Sequence, residues 1–178
     1  RVGTRPLDLR GVSRRAGDYA ADQLAARMAA VDLCGDVLAE WRRHGRGRTV
    51  AFCVTREHAR VVADQFRAGG VPAGYVDGET PRDERAALLD QLTRGSLRVL
   101  VNVGILCEGW DLPALETALL LRPTASLALH LQQIGRIMRA CPGKDGAIVL
   151  DHAGNMLRLG PVTAPIPMSL GGLPREWR

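Results

Sequence analysis

The 178-residue sequence has a single lysine, Lys144, among 24 basic residues. Its net charge of +5 is therefore carried by arginine, which permits a polyanionic partner but equally marks a soluble domain with an arginine bias. The cysteines Cys34, Cys53, Cys107 and Cys141 stand far apart, with no C-x-x-C pair and no Cys/His cluster. Neither a zinc site nor a disulfide framework is indicated, and reduced buried thiols fit an intracellular protein. No apolar run approaches the roughly 20 residues of a membrane span and no secretory leader is visible. A cytoplasmic location without a membrane partner is the expectation. Phosphate-binding signatures are missing too: there is no G-x-x-x-x-G-K-[ST], no D-E-x-[DH] and no G-x-G-x-x-G after the first strand. What remains is ordinary globular composition, 46% apolar, too hydrophobic for disorder and sufficient for about one domain. The start at Arg1 reads as a piece of something longer.

Residues 1–17 mix Arg, Gly and Pro without period and read as a linker. From Asp18 to His44, Leu24, Met28, Val31, Leu38 and Trp41 recur at helical spacing with a break near Gly35. That predicts one long or two short helices capping a sheet. Short apolar runs at 48–54, 72–78, 97–103, 116–122 and 146–151 predict strands. Thr55 is placed to cap the helix after the first, with Ala59, Val62 and Phe66 on its buried face and Gly69-Gly70 ending it. Thr80, Pro81 and Asp83 predict the start of the next, which buries Leu88, Leu89 and Leu92. Continuous apolar strands alternating with amphipathic helices imply an α/β fold with a doubly wound parallel sheet. The domain is drawn at 18–160, with its core at 46–152. The proline-containing tail 161–178 is an extended segment or linker.

Ligands of such sheets sit beyond the carboxyl ends of the strands. Candidate functional residues are accordingly those just after each strand, together with the helix near Arg136. On that helix Gln132, Gly135, Arg136 and Arg139 fall on one stripe, with Leu127, Leu131, Ile134 and Met138 on another about 120° away. A helical glycine costs about 1 kcal/mol relative to alanine, so Gly135 makes sense where another group approaches the backbone. Two guanidiniums one turn apart suit a phosphate, although two solvated arginines are the plainer alternative. After the third strand, "VNVGILCEGWDLP" (101–113) offers Gly104 and Gly109 for close approach and Asp111 as an acceptor for hydroxyls such as those of a ribose. A simple capped turn is the alternative there.

Q-x-x-G-R-x-x-R at Gln132 to Arg139 resembles motif VI of superfamily 2 (DEAD/DEAH-type) helicases, and "GILCEGWDLP" resembles their motif V. "RTVAFCVTREHARVVADQFRAGG" is similar to motif IV, and "VDGETPRDERAALLDQLTRGSLRVLV" to the segment between IV and V. The resemblance covers about 48–151 in family order and implies a RecA-like helicase C-terminal domain. Within the superfamily, "LDHAGN" and "RPTASLALHLQQIGRIMR" most resemble bacterial RadD-like DNA repair helicases. The resemblance implies that Arg139 is the finger reaching the γ-phosphate of ATP, with Arg136 assisting. Gln132, Gly109 and Asp111 would lie at the nucleotide, and Thr55, Arg56, Gly78, Thr80, Asn102 and Gly104 would face nucleic acid, DNA ahead of RNA.

Val103 stands where many family members carry threonine, so that hydroxyl contact is either missing or supplied by Asn102. The missing phosphate cradle and acid pair imply a partner lobe, an N-terminal RecA-like ATPase domain of the same protein, which would hold Mg2+. On this reading the chain alone hydrolyses almost nothing. A non-enzymatic module binding nucleic acid or protein on the same scaffold is the alternative. A metabolite-binding Rossmann domain is disfavoured by the absent glycine fingerprint.

Overall fold

The computed structural model describes residues 8–29, 37–104, 112–161 and 163. An antiparallel ribbon, β1 (Arg14–Arg15) against β2 (Asp18–Tyr19), comes first and turns through Ala16 and Gly17, both at positive φ. The segment expected as linker thus contributes half of a ribbon. Two helices follow, α1 (Ala21–Ala29) and α2 (Val37–His44); the expected break near Gly35 lies outside the described residues. Then come β3 (Arg48–Phe52), α3 (Arg56–Ala68), β4 (Ala73–Val76), α4 (Arg82–Arg94) and β5 (Val99–Asn102). The chain continues through β6 (Leu115–Leu120), α5 (Leu127–Gly135), β7 (Ile148–Asp151) and α6 (Asn155–Leu159). Strands β3 to β7 form one five-stranded sheet, ordered β4-β5-β3-β6-β7, with every neighbour parallel. This is the doubly wound α/β sheet that the strand runs imply.

Alternation along the strands creates its two layers. Ala51, Cys53, Val99, Val101, Leu119 and Leu150 face α2 and α3, where they pack against Val37, Trp41, Ala59, Val62, Ala63 and Phe66. Val50, Phe52, Val76, Leu100, Ala118 and Leu120 face the other way, toward Leu92 of α4 and Ile134 and Ile137 at α5. Trp41 meets Phe66 edge to face at 5.4 Å and donates its indole N–H to the buried Thr49 hydroxyl at 2.9 Å. The large aromatic body is thereby buried with its one polar atom satisfied.

Helix ends follow local chemistry, with one departure from expectation. Thr55 caps α3, its hydroxyl accepting from His58 N at 3.1 Å. The helix stops as Gly69-Gly70 predicts: Gly70 has φ +74, its N–H reaches Arg67 O, and Val71 N–H reaches Phe66 O, the paired bonds of a Schellman closure. At α4, Thr80 is not the cap. The helix begins at Arg82 with Pro81 in the cap position and no side-chain capping bond, because the Thr80 hydroxyl is already committed to Asp77.

Candidate functional site

At the carboxyl ends of β3 and β4 the structure brings Arg56 and Thr80 onto Asp77, a residue the sequence reading did not single out, with Gly78 next to it in the turn and Thr55 at the cap of α3. Asp77 is 4% exposed. Its Oδ1 accepts from Glu79 N at 2.9 Å, Thr80 N at 2.9 Å and Thr80 Oγ1 at 3.1 Å, while Thr80 Oγ1 accepts from Asp77 N at 2.9 Å. This is an aspartate-centred turn, and its sequence signal was the D-G-E-T string itself. Tyr75 donates its hydroxyl to Asp77 Oδ2. That bond, with the Glu79 and Thr80 donors, holds the Asp77 carboxyl down to about 2 against the upward push of burial. Burial first, and then the bond to Asp77, pushes Tyr75 up to about 12.

Arg56 leans on this turn from the first residue of α3. Its Nε lies 3.1 Å from Asp77 Oδ2 and its Nη1 2.6 Å from Glu79 Oε1. A phosphate arriving here has to compete with two carboxylates for the guanidinium. Gly78 is exposed, its φ is outside the left-handed range, and a Cβ built on it meets nothing within 4 Å. Nothing among the described residues calls for glycine there, and the backbone is exposed. Asn102 is placed differently: it is 1% exposed, and its Nδ2 donates to Ala51 O inside the sheet at 2.7 Å. In that position it offers no surface to a strand and cannot replace the hydroxyl that Val103 lacks. Gly104 is exposed with φ +74. Gly109 and Asp111 lie outside the described residues.

The arginine stretch is resolved into a helix and a turn. Ser126 caps α5 by accepting from Leu129 N, and the α-helix ends at Gly135 rather than running through Arg139. Arg136 and Ile137 form a turn, with Arg139 in the bend after it. The phase slips accordingly: Met138, expected to be buried, is 56% exposed, and Ile137 is buried in its place. Gln132 and Gly135 face outward, Arg136 is half-buried and Arg139 exposed. A Cβ at Gly135 meets nothing within 4 Å, and its φ is not positive. The turn beyond it is closed by Lys144, whose Nζ donates to Ile137 O, to Arg139 O at 2.9 Å and to Pro113 O at 3.0 Å.

Pro113 lies just before β6, and Lys144 ties it to the carbonyls of Ile137 and Arg139 in the arginine turn. The arginine turn therefore sits at the amino edge of the sheet, about one nine-residue helix (roughly 14 Å at 1.5 Å per residue) from its carboxyl edge. That corrects the expectation that the arginines join the carboxyl-edge residues. An antiparallel crossover helix that starts after β6 has to finish at the opposite edge.

The head of α5 is fixed by a second polar cluster. Asp18 accepts from Thr124 Oγ1 and Ala125 N, both at 2.8 Å, and from Arg122 Nη2 at 3.0 Å. Burial pushes the Asp18 carboxyl up, but those donors outweigh it and hold the group below its ordinary range. Asn155, fully buried, accepts from Thr124 N at 3.0 Å and donates to Arg122 O at 2.9 Å.

An all-parallel five-stranded sheet wrapped by helices, with a Q-x-x-G-R-x-x-R segment at the foot of the helix before the last strand, defines the RecA-like C-terminal lobe of a superfamily 2 helicase. The chain belongs to the family described as the helicase conserved C-terminal domain, whose model matches residues 29–141. A 51.5 kDa protein of a Lactococcus phage is 33% identical over 150 residues, covering 84% of this chain and 33% of that protein. The Saccharomyces cerevisiae protein IRC3 is 30% identical over 162 residues, 89% of this chain and 23% of its own length. The ATP-dependent RNA helicase SrmB of Escherichia coli is 32% identical over 116 residues, 65% of this chain and 26% of SrmB. Its crystal structure, bound to regulator of ribonuclease activity A, matches with a TM-score of 0.59 at 23% identity over 71% of this chain and 75% of that one, a likeness of fold. The chain spans a third or less of the length of these relatives. Among the described residues, no helix is long and apolar enough to cross a membrane.

Proposed function

We propose that this domain is the second motor lobe of an ATP-dependent nucleic-acid helicase or translocase, working against an N-terminal RecA-like ATPase lobe of the same protein. ATP binds between the two lobes, and Arg136 and Arg139 complete its site from this side, with Arg139 as the finger on the γ-phosphate. Gln132, Gly109 and Asp111 belong to the same nucleotide surface. Thr55, Arg56, Gly78, Thr80 and Gly104 form the nucleic-acid face at the other edge of the sheet, so one lobe presents separate surfaces for fuel and track. Closing and reopening of the cleft carries the lobes along a strand.

The observation that carries this reading is Gly135. An outward-facing helical glycine that neither φ nor the described packing requires directly precedes Arg136 and the turn leading to Arg139, an arrangement suited to a docking triphosphate. Backbone amides, hydroxyls and glycine surfaces at the carboxyl edge suit contacts to sugar and phosphate that ignore sequence. Mg2+ is assigned to the partner lobe; no group of three or more His, Cys, Asp or Glu gathers among the described residues. The finer kinship with RadD-like DNA repair helicases, and with it a preference for DNA, rests on the resemblance of "LDHAGN" and "RPTASLALHLQQIGRIMR".

The test uses the full-length protein. Arg139→Ala should abolish nucleic-acid-stimulated ATP hydrolysis while nucleotide still binds, a loss of about 10³ to 10⁵ if the finger neutralises transition-state charge. Undiminished turnover removes Arg139 from that role. Greater stimulation by RNA than by single-stranded DNA removes the DNA assignment.

A further inference from the structure

Lys144 is the only lysine in the chain, and it is delivered by a tight turn. Cys141 O accepts from Lys144 N at 3.1 Å, with Pro142 and Gly143 at the corners and Gly143 at φ +77, the residue types that a type II turn requires at those places. The ammonium then meets three main-chain carbonyls: Ile137 O, Arg139 O at 2.9 Å and Pro113 O at 3.0 Å. Three N–H donors meet three acceptors, so the group is fully satisfied. Two of the carbonyls belong to the turn that follows α5, where unpaired oxygens and the negative end of the helix dipole favour a cation. The third belongs to the segment that emerges from the Gly104–Leu112 stretch. A planar guanidinium cannot aim three donors into such a convergence, which accounts for lysine here in a chain that uses arginine elsewhere.

We propose that Lys144 is a positioning residue: its ammonium pins the backbone of the arginine turn to Pro113, so that the Arg136–Arg139 turn and the Leu112–Pro113 lead into β6 are presented to nucleotide as one rigid unit. The functional half of this statement rests on the motor reading above. Loss of the clamp leaves the guanidiniums in place chemically but lets the turn drift, and drift of about 1 Å costs turnover on the order of 100-fold.

Two measurements test it. In the chain labelled with ¹⁵N-lysine, a single side-chain ammonium exists; a clamped group gives a slowly exchanging NH3+ signal that persists at neutral pH. A fast-exchanging signal like that of free lysine overturns the clamp. In the full-length protein, Lys144→Met and Lys144→Arg should both lower kcat for nucleic-acid-stimulated ATP hydrolysis about 10- to 100-fold with KM for ATP changed less than about threefold. The charge-preserving arginine should fail to rescue. If Arg139→Ala abolishes turnover and both Lys144 variants keep it, the positioning role is wrong and the motor reading stands. If turnover survives Arg139→Ala, the finger assignment falls and takes the positioning role with it, whatever the ammonium signal shows.

Discussion

Replacing Gly135 by alanine should stabilise this domain and disable the proposed motor, and the two effects are measurable apart. Gly135 is the last residue of α5, its φ is not positive, and an added Cβ meets no heavy atom within 4 Å. Alanine in a helix interior is worth about 1 kcal/mol over glycine. At a terminal position about half of that is expected, roughly 0.5 kcal/mol, chiefly through a less disordered unfolded chain. For a domain of this size the gain raises Tm by about 1 to 2 °C, read by thermal melting of the 178-residue chain. In the full-length protein the same methyl stands between the helix backbone and whatever docks there. ATP turnover should fall about tenfold or more, equivalent to about 1.4 kcal/mol or more of barrier. A lower Tm would mean that the glycine serves an internal purpose missed in the packing. Raised stability with full turnover would mean that nothing approaches this face, and the main support for the nucleotide surface would be gone.

Two further predictions concern charge. Glu79→Gln removes one of the two carboxylates that hold Arg56; binding of single-stranded DNA by the full-length protein at low salt should tighten about two- to fivefold, with a steeper salt dependence, and unchanged or weaker binding would take Arg56 off the nucleic-acid face. Stability should fall on acidification in two windows: burial draws His58 from 6.5 to about 4, so between those values the unfolded chain takes up a proton that the folded one refuses, with a ceiling of about 3 kcal/mol. His130, fully buried, is shifted in the same direction, again mainly by burial. Asp77, held at about 2, adds its share of loss between 3.8 and 2. Urea midpoints at pH 7, 5.5 and 4.5 check the sign, and a flat profile from 7 to 4.5 that His58→Gln leaves unaltered refutes it.

Strands and caps were legible in the sequence because they are local. "RTVAFCV" and "LRVLVNV" are apolar enough to be buried on both sides, and Thr55 and Gly69-Gly70 act on their own neighbours. What was not legible depends on partners distant in sequence. Thr80 has the makings of a cap, but Asp77 holds its hydroxyl more closely than the helix can. The arginine stretch keeps helical spacing through Arg139, yet the helix stops at Gly135, and the turn beyond it is held by Lys144, which also reaches Pro113. Asn102 sits next to a turn in sequence and in the middle of a sheet in space. The candidate residues were named from sequence as one set, whereas the path of the α5 crossover divides the described ones between opposite edges of the sheet.

The knot at Asp18 bears on how tension travels. A stretch of backbone ahead of the first sheet strand is spliced, through one carboxylate, to the loop that launches α5. Force applied upstream of the ribbon therefore reaches the head of the arginine helix along a short polar splice, without first having to stretch the β-sheet. Any lever that swings this lobe by that lead pulls directly on the rod whose far tip carries the guanidiniums.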